Sequence, residues 1–483
     1  MNHLFRRLVV QRFCIVLMVF LTFVVSGCDF TPSNDFPPIS YSKASSDGAV
    51  SAISGGGDDI ASGTLKVALP LSSECIRYLT YMYVGERAGL FRNTQVSESG
   101  LTVPLDILDQ YNVGLNTVLQ VTGTRGLSEQ DLLVLEQSNS LPDIFLVNDL
   151  RVLRNIGFLP ADISGPEMDR YLTPDVVYPT FFPDRILDDP VQSIPFYASV
   201  RMIYANRTLF RNATDVDSST LRSPLSLQTV QTLSSKMTDA ENGVFGFMGF
   251  SDLLAHLPSS TNPFPKSYLW DGDAFDFRNK AFADSIDALR KFAAEQSSGD
   301  ALTDAQRTAL YGSNDPRTQN RIAFWTDDSD AISVWSNYAE VERYPLPVTD
   351  RISVPLKIYS IVVNGNSPIL RDAVRLALYI AMDRDALLFR SRYPLIEGYV
   401  PPLRDALVWE RLVALQKQGS ELASLRTVME NSHSIDGTHA ALVSGTFDKL
   451  YDEFFYDMLF RTSKLDAQME KIESRAEALM SGG

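Results

Sequence analysis

The stretch RIAFWTDDSDAISVW, residues 321–335, sets Asp327, Asp328 and Asp330 around Ser329, with Trp325 and Trp335 on either side. Ionised carboxylates accept hydrogen bonds from neighbouring hydroxyls, and charge-assisted bonds are the stronger kind. Aromatic rings cover apolar C–H faces. The same residues therefore suit four roles: an acid pair for glycoside hydrolysis, a metal site, a wall for a hydroxyl-rich solute, or the start of a helix. Glycoside hydrolysis needs two carboxylates about 5–10 Å apart, one with a raised pKa. Asp327 with Asp330 or Asp149 is the available pair, and no feature of the chain separates acid from base.

Other chemistries find less support. GFSDL, residues 249–253, breaks the G-x-S-x-G nucleophile pattern at its last position. Histidine is scarce, and no H-E-x-x-H pattern occurs. His433 and His439 lie in a polar stretch and are expected to be solvated. No catalytic residue, metal ligand or cofactor is assigned.

The N-terminus bounds the rest. MNHLFRRLVVQR carries Arg6, Arg7 and Arg12 without an acid, an apolar run follows, and small residues lead to Cys28. This is the layout of a secretory signal, and its apolar core is shorter than the ~20 residues of a membrane-spanning helix. The segment VVSGC resembles a bacterial lipobox, which implies a signal peptide over residues 1–27. It also implies lipidation of Cys28 with acyl chains such as palmitate. Asp29 resembles an inner-membrane retention signal of enteric bacteria. The expected location is extracytoplasmic, anchored to the cell membrane, on the periplasmic face in a Gram-negative cell. With Cys14 removed and Cys28 lipidated, Cys75 stands alone and is expected to pack as a small buried hydrophobe.

Removing residues 1–27 takes away three arginines and no acid, so the formal charge falls from -16 to -19. A nucleic-acid partner calls for a basic face, and no basic run exists. Residues 28–62 are rich in Ser, Gly, Pro and Asp and read as a flexible tether, on the order of 30 Å r.m.s. long. Beyond it, Leu65, Val67 and Leu69 alternate as a strand. Ile76, Leu79 and Tyr83 keep helical spacing, LTVPLDILDQYN reads as a second strand, and Ile144–Val147 as a third. Alternating strands and helices predict an α/β fold with a largely parallel sheet. Ligands of such sheets sit at the carboxyl ends of strands, which points to Asn148 and Asp149, although Asp149 equally suits a helix cap. From 369 onward the pattern is helical, with RDAVRLALYIAMDRDALLF as one helix and Trp409 mid-helix in the core.

LPDIFLVNDLRVLRNIGFLPADIS and IPFYASVRMIYANRTLF, in that order behind a lipobox, resemble the extracellular solute-binding proteins of family 1. RIAFWTDDSDAISVW, PLKIYSIVVNGNS, GYVPPLRDALVW and the closing LDAQMEKIESRAEALM extend the resemblance over residues 64–480. VRLALYIAMDRDALL also resembles a helix of the family 5 receptors, but the length that follows fits family 1. The resemblance implies a type II periplasmic-binding-protein-like fold, two hinged lobes that are each a sheet flanked by helices. Crossovers would lie near 198–201, 322–326 and 368–371. Lobe 1 would hold 63–198 and 326–368, and lobe 2 would hold 199–322 and 369–483. It implies a monomeric receptor that delivers a solute, foremost a carbohydrate, to ABC permease subunits. A polyamine or other solute, a glycoside hydrolase, and an adhesion or sensing lipoprotein are the alternatives. The maltose-type branch carries an aromatic just after the PDI strand, where this chain has Leu146-Val147-Asn148.

Ligand-facing candidates under this reading are Ser72, Ser73, Glu74, Asn148, Asp149 and Tyr197 from lobe 1. Lobe 2 offers Phe250, Ser251, Asp252 and Trp270. Trp325, Asp327 and Asp328 lie near the second crossover, and Tyr359 and Tyr399 complete the set. In the acid cluster, Asp327 or Asp328 is expected to face ligand, and Ser329 or Asp330 to cap the helix through Trp335.

Overall fold

The computed structural model describes residues 63–87, 115–147, 153–182, 191–260, 267–347, 352–434 and 440–481, with short breaks at 121, 123–125, 154–155, 157, 165, 170, 172, 214–215, 217–219, 271–273, 295–297, 353, 392–396 and 462–463. The signal, Cys28, the tether, LTVPLDILDQYN, Asn148, Asp149 and His439 lie outside these residues. Among the described residues no helix is long and apolar enough to cross a membrane.

The strands, in chain order, are β1 (Gly63–Ala68), β2 (Leu115–Leu119), β3 (Ile144–Val147), β4 (Ile194–Asn206), β5 (Phe245–Met248), β6 (Ile322–Asp328), β7 (Val341–Pro345), β8 (Val354–Val363), β9 (Tyr399–Val400) and β10 (Ser432–Ser434). β1 pairs in parallel with β2 and β3. The expected parallel sheet then becomes mixed, because β8 inserts antiparallel between β3 and β4. Mixed sheets of this kind are common in large α/β folds.

β4 organises the molecule. All but one of its 13 residues are buried, as an apolar run covered on both faces requires. Its first half pairs with β8 as far as Val200. Its second half, from Arg201, pairs with β6 on one side, and from Met202 with β7 on the other. One unbroken strand thus serves two sets of partners, and the exchange falls at Val200–Met202.

Two large apolar cores flank this exchange. The first gathers β1, β3, the start of β4 and β8 with residues 373–429. The second gathers the end of β4, residues 210–293, Ala323, Phe324, Tyr344 and residues 447–476. Residues 373–429 thus share a core with β1 and β8, whereas the sequence reading placed everything after 369 in the other lobe. Leu376, Ala377 and Ile380 of this segment are fully buried in that core. Ala323 and Phe324 likewise face the second core.

The long helix read over 371–389 is two. Leu370–Met382 stops at Asp383, whose backbone is extended and whose carboxylate accepts from the backbone N–H of Asp385 and Ala386 to start Arg384–Arg390. Cys75 is buried and carries no disulfide. Trp409 is buried, as expected, with its indole N–H donated to Leu403 O at 2.7 Å.

Candidate functional site

The polar side chains that converge do so where β4 changes partners. Arg201 is the first residue of the second half of β4, facing Asp328 across the ladder. Its Nη1 lies 3.3 Å from Asp252 Oδ2, and its Nη2 lies 3.2 Å from Asp328 Oδ1. Asp252 stands in the first turn of the helix Phe250–His256 and also accepts the Thr326 hydroxyl at 2.7 Å. Arg201 Nε and Asp328 Oδ1 have no hydrogen-bond partner, the 3.2 Å ion pair lacking hydrogen-bond geometry. A buried donor and a buried acceptor thus stand side by side.

The turn that presents Asp252 is built closely. Gly249 has φ +119, and a Cβ there would sit 2.0 Å from Thr326 Oγ1. Its N–H, and that of Phe250, donate to Asp300 Oδ2 at 2.7 and 3.0 Å. Burial raises the Asp300 carboxyl above the usual range, opposed by these two bonds. Burial also raises Asp328, although Arg201 pulls the other way. Burial alone would lower Arg201, but Asp252 and Asp328 outweigh it and keep the guanidinium charged.

The acid cluster divides differently from the reading above. Asp327 Oδ2 accepts the Trp335 indole N–H at 2.9 Å, with Arg317 3.6 Å away and stacked over that indole. Asp328 faces Arg201. Ser329 and Asp330 do not cap the helix through Trp335, for neither short helical segment there has a side-chain cap. Ser329 Oγ instead accepts from Val200 N at 2.8 Å and donates to Gly398 O. Asp330 accepts the Ser199 hydroxyl at 2.9 Å and the Tyr399 hydroxyl at 3.0 Å. Both tie the loop after β6 to the first half of β4 and to β9.

The remaining candidates scatter. Ser72 caps the helix Ser73–Arg87, accepting from Cys75 N at 3.1 Å, and Ser73 and Glu74 are exposed in its first turn. Tyr197, Tyr359 and Tyr399 are buried in the first core as one aromatic cluster, with centroids 4.3–5.4 Å apart. Phe250 is fully buried against Phe247 and Phe292. Ser251 is half-buried beside Asp252. Trp270 is half-buried, edge-on to Phe275. Trp325 is buried and stacks on Tyr204 at 5.7 Å.

Sequence reasoning missed Arg201, Thr326 and Asp300. An arginine inside the apolar run VRMIY was the available signal, since a charge in a buried strand demands a partner. His433 was expected in solvent. It is 3 % exposed, because Ser432–Ser434 pairs with β8, and its ring lies 5.8 Å from that of His256. Burial lowers the His256 pKa well below its ordinary value, so that ring is neutral. Among the described residues no group of three His, Cys, Asp or Glu side chains is placed to hold a metal.

No family model matches the sequence, and no curated protein does. Solved structures do match in fold. An ABC substrate-binding protein from Listeria monocytogenes in complex with cycloalternan aligns over 87% of this chain and 99% of its own, at TM-score 0.57 and 11% identity. The cyclic alpha-maltosyl-1,6-maltose binding protein from Arthrobacter globiformis aligns over 87% and 100%, at 0.60 and 15%. The sugar-binding protein MalE from the phytopathogen Xanthomonas citri aligns over 87% and 98%, at 0.58 and 12%. The chain has a periplasmic-binding-protein-like fold. In that fold, the cluster around Arg201 lies on the strand shared by both sets of sheet partners.

Proposed function

We propose that this chain is an extracytoplasmic solute-binding protein, held to the membrane by lipid on Cys28. It takes up a carbohydrate between two lobes and delivers it to the permease of an ABC importer. The observation that carries the reading is the cluster on β4. Arg201 Nε and Asp328 Oδ1 are a buried donor and a buried acceptor without a hydrogen bond, the oxygen held only by the 3.2 Å ion pair to Nη2, beside Asp252 and Ser251. A hydroxyl donates to one oxygen and accepts from another group, so vicinal hydroxyls match such a pair. The fold shared with sugar-binding proteins supports the class of ligand.

In this reading the lobes correspond to the two cores, and β4 is one of the connections between them. The role is binding and transfer, without bond cleavage. Asp252 and Arg201 replace several of the aromatics as the foremost ligand contacts, because Phe250, Trp325 and Tyr359 are fully packed.

Calorimetry of the purified protein against mono- and oligosaccharides, polyamines and amino acids tests the ligand class. Saturable binding of a saccharide is expected, and a folded protein that binds none of them refutes it. Cleavage of any glycoside in the same panel would restore the hydrolase. Radiolabelled palmitate incorporation that disappears in Cys28→Ser tests the anchor.

A further inference from the structure

Beside the first core, between β9 and the helix Arg384–Arg390, lies a cavity of about 60 Å³. One water occupies about 10–15 Å³ of such space, so the cavity accommodates several waters or one small oxyanion. It shares no residue with the cluster around Arg201. Two arginines line it, Arg390 and Arg411.

Arg390 is 5 % exposed. Its Nη1 donates to Ile380 O at 2.8 Å, and the group lies 3.9 Å over the Phe196 ring. Its Nε is buried without a hydrogen-bond partner, and so is that of Arg411. Among the described residues neither arginine pairs with a carboxylate. The ionisable groups that act on Arg390 are Cys75 and Tyr197, and burial raises both, Cys75 to about 12, so both are neutral near pH 7. Burial lowers Arg390 to about 10, which leaves it charged at neutral pH. A buried charge without a counter-ion is costly.

The other polar groups of the wall are engaged. Gln416 donates to Tyr399 O and Leu412 O and accepts from Gly398 N. The Tyr399 hydroxyl donates to Asp330 at 3.0 Å. The Ser391 hydroxyl donates to Leu388 O at 2.6 Å. The buried polar atoms left without a hydrogen bond among the lining residues are the two Nε donors, and a guanidinium has no acceptor to offer. Planar forks of this kind match carboxylate and phosphate oxygens. We propose that the cavity between Arg390 and Arg411 binds a small oxyanion, a phosphate or carboxylate group. This site is independent of the carbohydrate reading.

The test is calorimetric titration of the purified protein, in chloride buffer, with sodium phosphate, sodium acetate or sodium chloride at matched ionic strength. Thermal melts are run in the same salts. Saturable heat and a raised Tm with phosphate or acetate, but not chloride, are expected, and the two arms separate the two oxyanions. Arg411→Gln at a half-buried position should weaken binding at least tenfold while the protein still folds. Arg390→Met should abolish it, and if that variant does not fold, Arg411→Gln decides. Responses equal to those in chloride, or unchanged affinity in Arg411→Gln, would overturn the proposal and leave the cavity to water.

Discussion

Arg201 and Asp252 meet at 3.3 Å, although they are 51 positions apart and one stands on a strand, the other on a helix. Asp252 Oδ2 is shared with Thr326, so a helix and two strands converge on one oxygen. Replacing Arg201 by Met leaves Asp252 and Asp328 facing one another without a cation. The cost in stability should be about 1–3 kcal/mol, below the range for fully buried pairs. The discount is for partial exposure, with side chains 19% and 25% exposed. Urea denaturation measures it. Saccharide affinity should fall at least tenfold in the same variant, and unchanged affinity would remove Arg201 from the site.

Asp327 has a structural duty beside its place among the ligand-facing candidates. It accepts the Trp335 indole at 2.9 Å and the backbone N–H of Asp328 at 2.8 Å. Asp327→Ala orphans both donors and should cost about 1–3 kcal/mol. Affinity for solute should weaken by more than ~1 kcal/mol, the scale of a charge-assisted bond, with the fold kept. Circular dichroism and calorimetry together check this. A loss of stability with intact affinity would assign Asp327 to the scaffold alone.

Gly249→Ala is expected to harm both fold and binding. The position has positive φ, and the added methyl would meet the Thr326 hydroxyl, which holds Asp252. A non-glycine residue in such a conformation costs about 1–3 kcal/mol. A variant as stable as the parent in a thermal melt would show that this turn can relax.

Glu421 provides a pH dependence. Burial raises its carboxyl from 4.5 to about 7, against the opposing pull of Arg343. The folded chain therefore holds this proton more tightly than the unfolded chain does. Its contribution to stability is fully present below about pH 4.5 and is lost as pH rises through about 7. Glu421→Gln should flatten that part of the profile in urea melts at pH 5 and pH 7.5. An unchanged slope would place the titration elsewhere.

The sequence showed what short-range pattern can show. The apolar run of Ile144–Val147 was legible because burial on both faces leaves no polar interruption, whereas Ser199 and Arg201 interrupt Ile194–Asn206. LNTVL over 115–119 went unread because only alternate residues face the core. The stop at Asp383 was hidden inside a continuous helical period, and only the cap geometry reveals it. Of the acid cluster, proximity to tryptophan was visible, but not the partners. Arg201, Ser199 and Gly398 reach it from distant parts of the chain. Spacing cannot encode such contacts, and they overrode the local preference of Ser329 and Asp330 for capping. His433 was misplaced for the same reason, since its polar neighbours say nothing of pairing with β8.

The exchange of partners along β4 has a mechanical consequence. Backbone hydrogen bonds clamp this strand on both sides of Val200–Met202, to β8 before it and to β6 after it. Because each half of β4 is held by its own ladder, a twist between the two halves would have to be taken up in the torsion angles of those few peptides. Arg201 stands at that point with its side chain tied to Asp252 and Asp328, so those ion pairs bear on the same stretch of backbone.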